Sequence, residues 1–191
     1  MSLEDTKRGL AGEWISLAPE VRPGATKNPD GTLKPFYLSR VFKYLGEDRF
    51  ELTIDNWADP YGKVALARIY LRGHIKWPGE HPIAAGAQKA DFHADEAYEV
   101  TPLVPGFVDI LNKVATAGFA PWQIGKTQSV FGKTFVPFGL TEGRNFMEHD
   151  LVYLQEDYLF WGARNIDGRG FDTEQNRPAN LQIPMRRQTQ R

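Results

Sequence analysis

The sequence predicts an all-β fold: an antiparallel barrel or half-barrel of about eight to ten strands with one α-helix, in a single domain over residues 1–191. Three observations predict it. Apolar and polar residues alternate at period two through Phe36–Tyr44, Phe50–Asp55 and Val64–Ile75, the pattern of half-buried strands. Short turn-forming stretches separate these runs, as in an antiparallel meander. Twelve Phe, seven Tyr and five Trp, set among 18 Gly and 13 Pro, favour strands and tight turns over helices.

Residues 1–10 read as a short polar helix leading into Leu10 and Trp14. The stretch Gly12–Gly24 opens the first strand and breaks at Pro19 and Pro23, which bracket the acid–base pair Glu20 and Arg22. A tryptophan this early on a strand is suited to floor a barrel, and its indole N–H then needs a buried partner. Pro23–Thr32 is dense in turn formers and reads as an exposed loop. The first clear strand puts Phe36, Leu38, Arg40 and Phe42 on one face. Leu45–Asp48 turns into the second, and Asp59–Gly62 turns into the third. On that third strand Ala65, Ala67, Ile69, Leu71 and Gly73 share a face, small enough for close packing.

Trp77–Pro82 reads as a loop and Ala84–Val100 as a further strand pair. The period then changes. Phe107, Val108, Ile110, Leu111 and Val114 fall at helical spacing after Pro105, which predicts the helix, ending by Gly118. Strands are expected again at 122–130, 134–140, 146–155 and 158–163, with Glu156-Asp157 as a hairpin turn. Residues 165–184 read as an extended tail wrapping the barrel, and Arg186, Arg187 and Arg191 as a frayed, solvated end.

Composition narrows the function classes. Lys plus Arg total 23 and Asp plus Glu total 24, so the net charge of −1 offers nothing to a nucleic acid. Without cysteine there is no disulfide and no thiolate metal site. The N-terminus lacks an apolar leader core, and no apolar run reaches the ~20 residues of a membrane span. A cytoplasmic protein is expected, or a secreted or periplasmic one if a leader precedes this sequence.

Several short pieces, in order, carry a family resemblance: Gly12-Glu-Trp-Ile-Ser16, Glu20-Val-Arg-Pro23, Leu38-Ser-Arg-Val-Phe42, Asp59-Pro60, Arg72-Gly73, Val100-Thr-Pro102 and Leu111-Asn112. Trp122-Gln-Ile-Gly125, Gln128, Val130, Leu159-Phe160, Asp167-Gly168, Arg177-Pro178 and Gln182-Ile-Pro184 continue it. Together they resemble the APCDD domain (adenomatosis polyposis coli down-regulated), a lipocalin-like barrel or half-barrel whose animal members are secreted or membrane-tethered Wnt antagonists. The resemblance implies an apolar pocket for a fatty acyl chain. The animal domains carry disulfide cysteines near what are here Pro19 and Tyr61–Lys63. Their absence here implies a single-domain, bacterial or cytoplasmic relative outside Wnt signalling.

No residue pattern announces a reaction. There is no nucleophile elbow, P-loop or dinucleotide fingerprint. His74, His81, His93 and His149 show no metal-ligand spacing, and neither a metal nor a cofactor is expected. The expected function is non-catalytic binding of a small hydrophobic or amphipathic partner, with Trp14, Arg40, Phe42, Arg68, Trp122, Gln128 and Tyr153 offered as ligand-binding residues. Arg40 and Arg68 sit among apolar neighbours, either bridged to a carboxylate such as Glu20 or Glu148, facing water, or reserved for a ligand carboxylate. One alternative is a small-molecule hydrolase or isomerase in the barrel, with Arg40 orienting an anion and Glu148 or His149 moving a proton. Another is a protein-interaction module using an exposed barrel rim.

Overall fold

The computed structural model describes residues 1–144 and 146–188. Ten strands form one antiparallel sheet: β1 (Gly12–Ser16), β2 (Glu20–Lys27), β3 (Leu33–Gly46), β4 (Arg49–Trp57), β5 (Ala65–Glu80), β6 (Gln88–Pro102), β7 (Gln128–Ser129), β8 (Phe146–Gln155), β9 (Tyr158–Phe160) and β10 (Met185–Arg187). Two helices accompany it, α1 (Leu3–Leu10) and α2 (Pro105–Val114). The all-β antiparallel expectation holds. The short polar helix read at residues 1–10 is α1, which Ser2 caps by accepting the Asp5 N–H on its hydroxyl, and the helix read after Pro105 is α2.

Hydrogen bonding closes the sheet into a ring. β1 pairs with β10 (Trp14↔Arg187) on one side and with β3 (Trp14↔Phe42) on the other, so β1-β10-β9-β8-β6-β5-β4-β3 returns to its start. The closure occupies one end only. Toward the other end, β2 runs along the first half of β3 (Glu20↔Leu38). There β7 borders the second half of β6 (Val100↔Gln128), whereas β8 pairs with its first half (Gln88↔Val152).

Apolar positions at period two fill the interior. Phe42, Phe50, Phe92 and Trp161 form its aromatic centre, with Phe92 4.8 Å and Phe42 5.1 Å from the Trp161 ring. Trp14 floors the closed end, fully buried, its indole donating to the Leu10 carbonyl at 2.9 Å. The Arg187 guanidinium lies 4.1 Å from the same ring and donates to the Ala11 and Gly9 carbonyls. Arg186 and Arg187 therefore belong to a strand that completes the ring rather than to a frayed tail; Arg191 lies outside the described residues.

Other boundaries also differ from expectation, each for a local reason. β2 continues through Pro23 to Lys27 with a register shift, so only residues 28–32 turn. β5 runs on through Trp77-Pro78-Gly79 to Glu80, because a register shift between Lys76 and Gly79 absorbs the proline. Ala84–Val100 yields the single strand β6. A bulge at Gly73 lets the two strands meet closely: a Cβ there would lie 1.9 Å from the His93 carbonyl oxygen.

The expected strands 122–130 and 134–140 shrink to β7 and a 3-10 turn at Val136–Phe138. Their aromatics are drawn instead into a cluster of Phe119, Trp122 and Phe135 beside α2. There Asn112 Oδ1 accepts from the Trp122 N–H at 2.8 Å, and the indole donates to Ala115 O at 2.8 Å. The last expected strand stops at Phe160, after which Gly162 and Pro178 pack face to face.

Candidate functional site

The half-open end of the ring carries a buried charge cluster. Alternation along β2 and β3 turns Glu20, Arg22 and Arg40 inward, and all three are at most 6% exposed. Glu20 is the hub: Oε1 accepts from Arg22 Nε at 2.5 Å and Oε2 from Arg40 Nη1 at 2.6 Å. With its amide oriented to satisfy the network, Gln182 donates to both Glu20 oxygens and accepts from Arg40. The Arg40 guanidinium lies 5.1 Å from the Trp161 ring, and Arg22 lies 5.6 Å from that of Phe171.

Burial presses the Arg40 pKa down against the pull of Glu20, and the neighbouring Arg22 presses the same way. For Arg22 burial also opposes the charge, but Glu20, Glu148 and Asp150 outweigh it and hold the pKa above its ordinary value. The two shifts differ in sign, yet a guanidinium stays charged in either case. Asp150 is the unusual acid. Burial, then Glu148, push its carboxyl up to about 7, although it accepts from the Leu151 and Gly162 N–H groups at 2.8 and 2.9 Å.

Beside this cluster the ring encloses a cavity of about 60 Å³, mostly apolar, walled by Leu38, Leu52, Ile54, Leu71, Phe92 and their neighbours. Arg22, Arg40 and Glu148 are its charged lining, and burial pushes the Tyr98 phenol in the same wall up. Such a volume admits a few waters at most. Phe146 and Glu148 line both this cavity and a surface cleft of about 700 Å³, which is the size of a small-molecule site. Those two side chains lie between the cavity and the cleft, a neck common to both linings.

The outer wall of the cleft is a strap rather than a strand. Between β8 and β2 the chain from Gly162 to Arg177 crosses the gap without laddering. His149 N–H donates to Phe171 O at 2.7 Å on one side, and Gly168 approaches the Gly24 carbonyl on the other. Phe171, 1% exposed, seats over Arg22. Arg177 fastens the strap on the outer face of β6 and β8. Its guanidinium reaches Asp91 Oδ1 at 2.7 Å, His149 Nδ1 at 3.3 Å, the Glu174 carboxylate and the Asp150 carbonyl. The Arg177 hydrogen bond is the main reason the Glu174 carboxyl is held down at about 2.

Asp91, His149 and Glu174 each bring a ligand atom within 4.8 Å of the others, a spacing that could hold a metal ion. Arg177 already serves all three, so the arrangement is a guanidinium latch. Residue spacing gave no hint of it, because Asp91, His149 and Arg177 come from three distant segments.

Of the residues offered to a ligand, the structure brings one, Arg40, to the cavity lining and packs Phe42 behind it. Arg40 lines the cavity, though tied to Glu20, and Phe42 packs among the rings below it. Trp14 floors the far end. Arg68 takes the water-facing alternative: its side chain is on the outer face, 56% exposed and forked onto Asp55 at 2.7 and 3.0 Å, because inward positions on β5 are Ala67, Ile69 and Leu71. Trp122 is buried beside α2, away from the cavity lining, and Gln128 spends its amide on both backbone groups of Ala120. Tyr153 sits on the outward register of β8, 5.9 Å from Phe160.

Glu148 and His149 are adjacent on β8 and face opposite ways, Glu148 to the neck and His149 to the latch. The residues that matter most here and were not singled out are Arg164, Phe171 and Arg177. Phe171 and Arg177 lie in the Gly- and Asp-rich stretch that reads as an extended tail, where Arg177 entered only as a resemblance piece, and Arg164 falls just before it. No protein-family model matches the chain.

Proposed function

We propose that the protein binds a small amphipathic molecule without transforming it. The apolar part enters the ring interior and the polar part stays in the cleft outside the neck. One observation carries this reading: a greasy internal cavity and a cleft of ligand-site volume share the same two residues, Phe146 and Glu148. The APCDD-like order of short sequence pieces supports a lipid or fatty-acid-like ligand of this kind. At about 60 Å³ the cavity takes only a short chain as it stands, so longer chains require Phe146 and the strap to yield.

Titration with straight-chain amphiphiles of increasing length tests it. Trp161 lines the cavity, so saturable quenching of tryptophan fluorescence is expected, with affinity rising with length and then levelling. Native mass spectrometry should show a one-to-one complex. Absence of saturable binding at every length refutes the reading.

A second reading has its own support. Glu148 lines the same cavity as Arg40 and finds no side-chain partner among the described residues, so it is placed to move a proton on a substrate that Arg40 orients. Turnover of a bound ester or enol that is lost in Glu148→Gln, with binding kept, would favour the enzyme.

A further inference from the structure

We propose that the cleft selects an anionic head group, a carboxylate or a phosphate monoester, through the guanidiniums of Arg144 and Arg164. The inference rests on the amphipathic-ligand reading and specifies which amphiphile.

Arg144 and Arg164 stand in the lining of the cleft, one on the 138–148 side and one on the strap. Among the described residues, most other arginines are committed. Arg22 and Arg40 are held by Glu20, Arg68 by Asp55, Arg72 by Glu96 and Arg177 by Asp91 and Glu174. Among the described residues, neither Arg144 nor Arg164 has a carboxylate within ion-pair distance.

Arg164 is nevertheless held in place. Its Nε and Nη2 both donate to the Gly168 carbonyl, at 3.1 and 3.0 Å, which orients the fork without neutralising it. A half-buried cation fixed by a neutral partner, with no ion pair among the described residues, keeps its Nη1–Nη2 edge for a bidentate anion. Burial, then the nearby Arg22, lower the Arg164 pKa against the pull of Glu148, Glu20 and Asp172, none of which reaches it as an ion pair.

Two carboxylates also line the cleft, and neither fills the role. Asp172 Oδ1 accepts from Asn176 Nδ2 at 2.8 Å, within the strap. Glu148 stands at the neck, where its charge acts on Arg22, Arg40 and Arg164 without an ion pair to any of them.

Calorimetric titration of the full chain with octanoate, octyl phosphate and octanol at neutral pH tests the proposal. At least one acid is expected to bind about tenfold or more tighter than octanol, as a charge-assisted fork provides. Raising ionic strength should weaken the acids and leave the alcohol unchanged, a readout that needs no variant. In Arg144→Gln/Arg164→Gln the acids should fall to the affinity of octanol while octanol is unaffected. Arg164→Lys should recover part of the loss, and the phosphate-to-carboxylate ratio identifies the head group. If octanol matches both acids in the wild type, the anion site is refuted and the amphiphile reading stands. If the acids keep their advantage in the double variant, the recognising groups are others. If none of the three binds, both readings fall.

Discussion

Glu20→Gln is the sharpest perturbation of this fold. The carboxylate is 6% exposed and bridges two guanidiniums that are 4% and 5% exposed, at 2.5 and 2.6 Å. Removing it leaves Arg22 and Arg40 buried side by side with like charge, and glutamine turns an NH2 donor toward one of them in place of a carboxylate oxygen. Breaking a buried pair costs about 3–5 kcal/mol, and two stranded cations place this case at the upper end. For a chain of this length each kcal/mol moves the melting temperature by about 2–4 °C, so a fall of about 10 °C or more is expected in thermal unfolding.

Arg40→Met should be milder, about 1–2 kcal/mol, because Glu20 keeps Arg22 and the Gln182 amide. Combining the two should be less damaging than Glu20→Gln alone, since only one cation is then stranded. Such a negative coupling is characteristic of partners in one network. A melting temperature for Glu20→Gln within about 2 °C of wild type would refute the reasoning, because the guanidiniums would then have to be solvated.

Three other outcomes follow from the same geometry. Asp150→Asn should keep the acceptor for the Leu151 and Gly162 N–H groups and remove an ionisation that burial opposes. Because the folded-state pKa is raised from 3.8 to about 7, wild-type stability from this group is complete below pH 3.8 and is lost as pH rises through about 7. The variant's advantage should therefore grow over that window to at most about 4 kcal/mol above it; denaturant titration at both ends checks this, and a variant less stable than wild type in alkali refutes it. Arg177→Met should release the strap but not the ring, raising hydrogen exchange at the His149 amide while exchange in β3–β5 is unchanged. Gly162→Ala drives a methyl to 1.9 Å from the Pro178 ring and 2.6 Å from Asp150 Oδ1, so poor folding or a melting temperature several degrees lower is expected.

The ring was legible in the sequence where burial alone sets the pattern. β3, β4 and the first part of β5 alternate cleanly because one face meets the interior and the other meets water. Legibility failed where tertiary packing overrode local chemistry. Pro78 and Gly79 announce a turn, yet they lie inside β5 because a bulge leaves the proline without a ladder partner. The aromatics of 119–138 look like strand residues, but side-chain bonds to Asn112 and the Ala115 carbonyl fold them into a cluster that needs no ladder. Arg40 was visible as a charge among apolar neighbours, and so was its possible bridge to Glu20. Arg177 was not, because all its partners but Glu174 lie distant in sequence and a lone arginine in a polar tail carries no periodic signal.

The same physics explains why the site lies on the strap. At the closed end β1 hydrogen-bonds to both neighbours, and side chains from β1, β3 and β10 fill the space around Trp14. A laddered strand between β8 and β2 would do likewise at the other end, aligning side chains into the gap every second residue. Residues 165–176, with three Asp or Glu, two Gly and two Asn, are poor strand formers, so the chain crosses the gap as a loop. It is held at its ends by Gly162 against Pro178 and by Arg177 against Asp91, and it seats one large apolar residue, Phe171. The cleft is the volume that this loop leaves unfilled. Ring closure at one end and loop closure at the other therefore leave the cleft beside the buried charge cluster, with Phe146 and Glu148 between cleft and cavity.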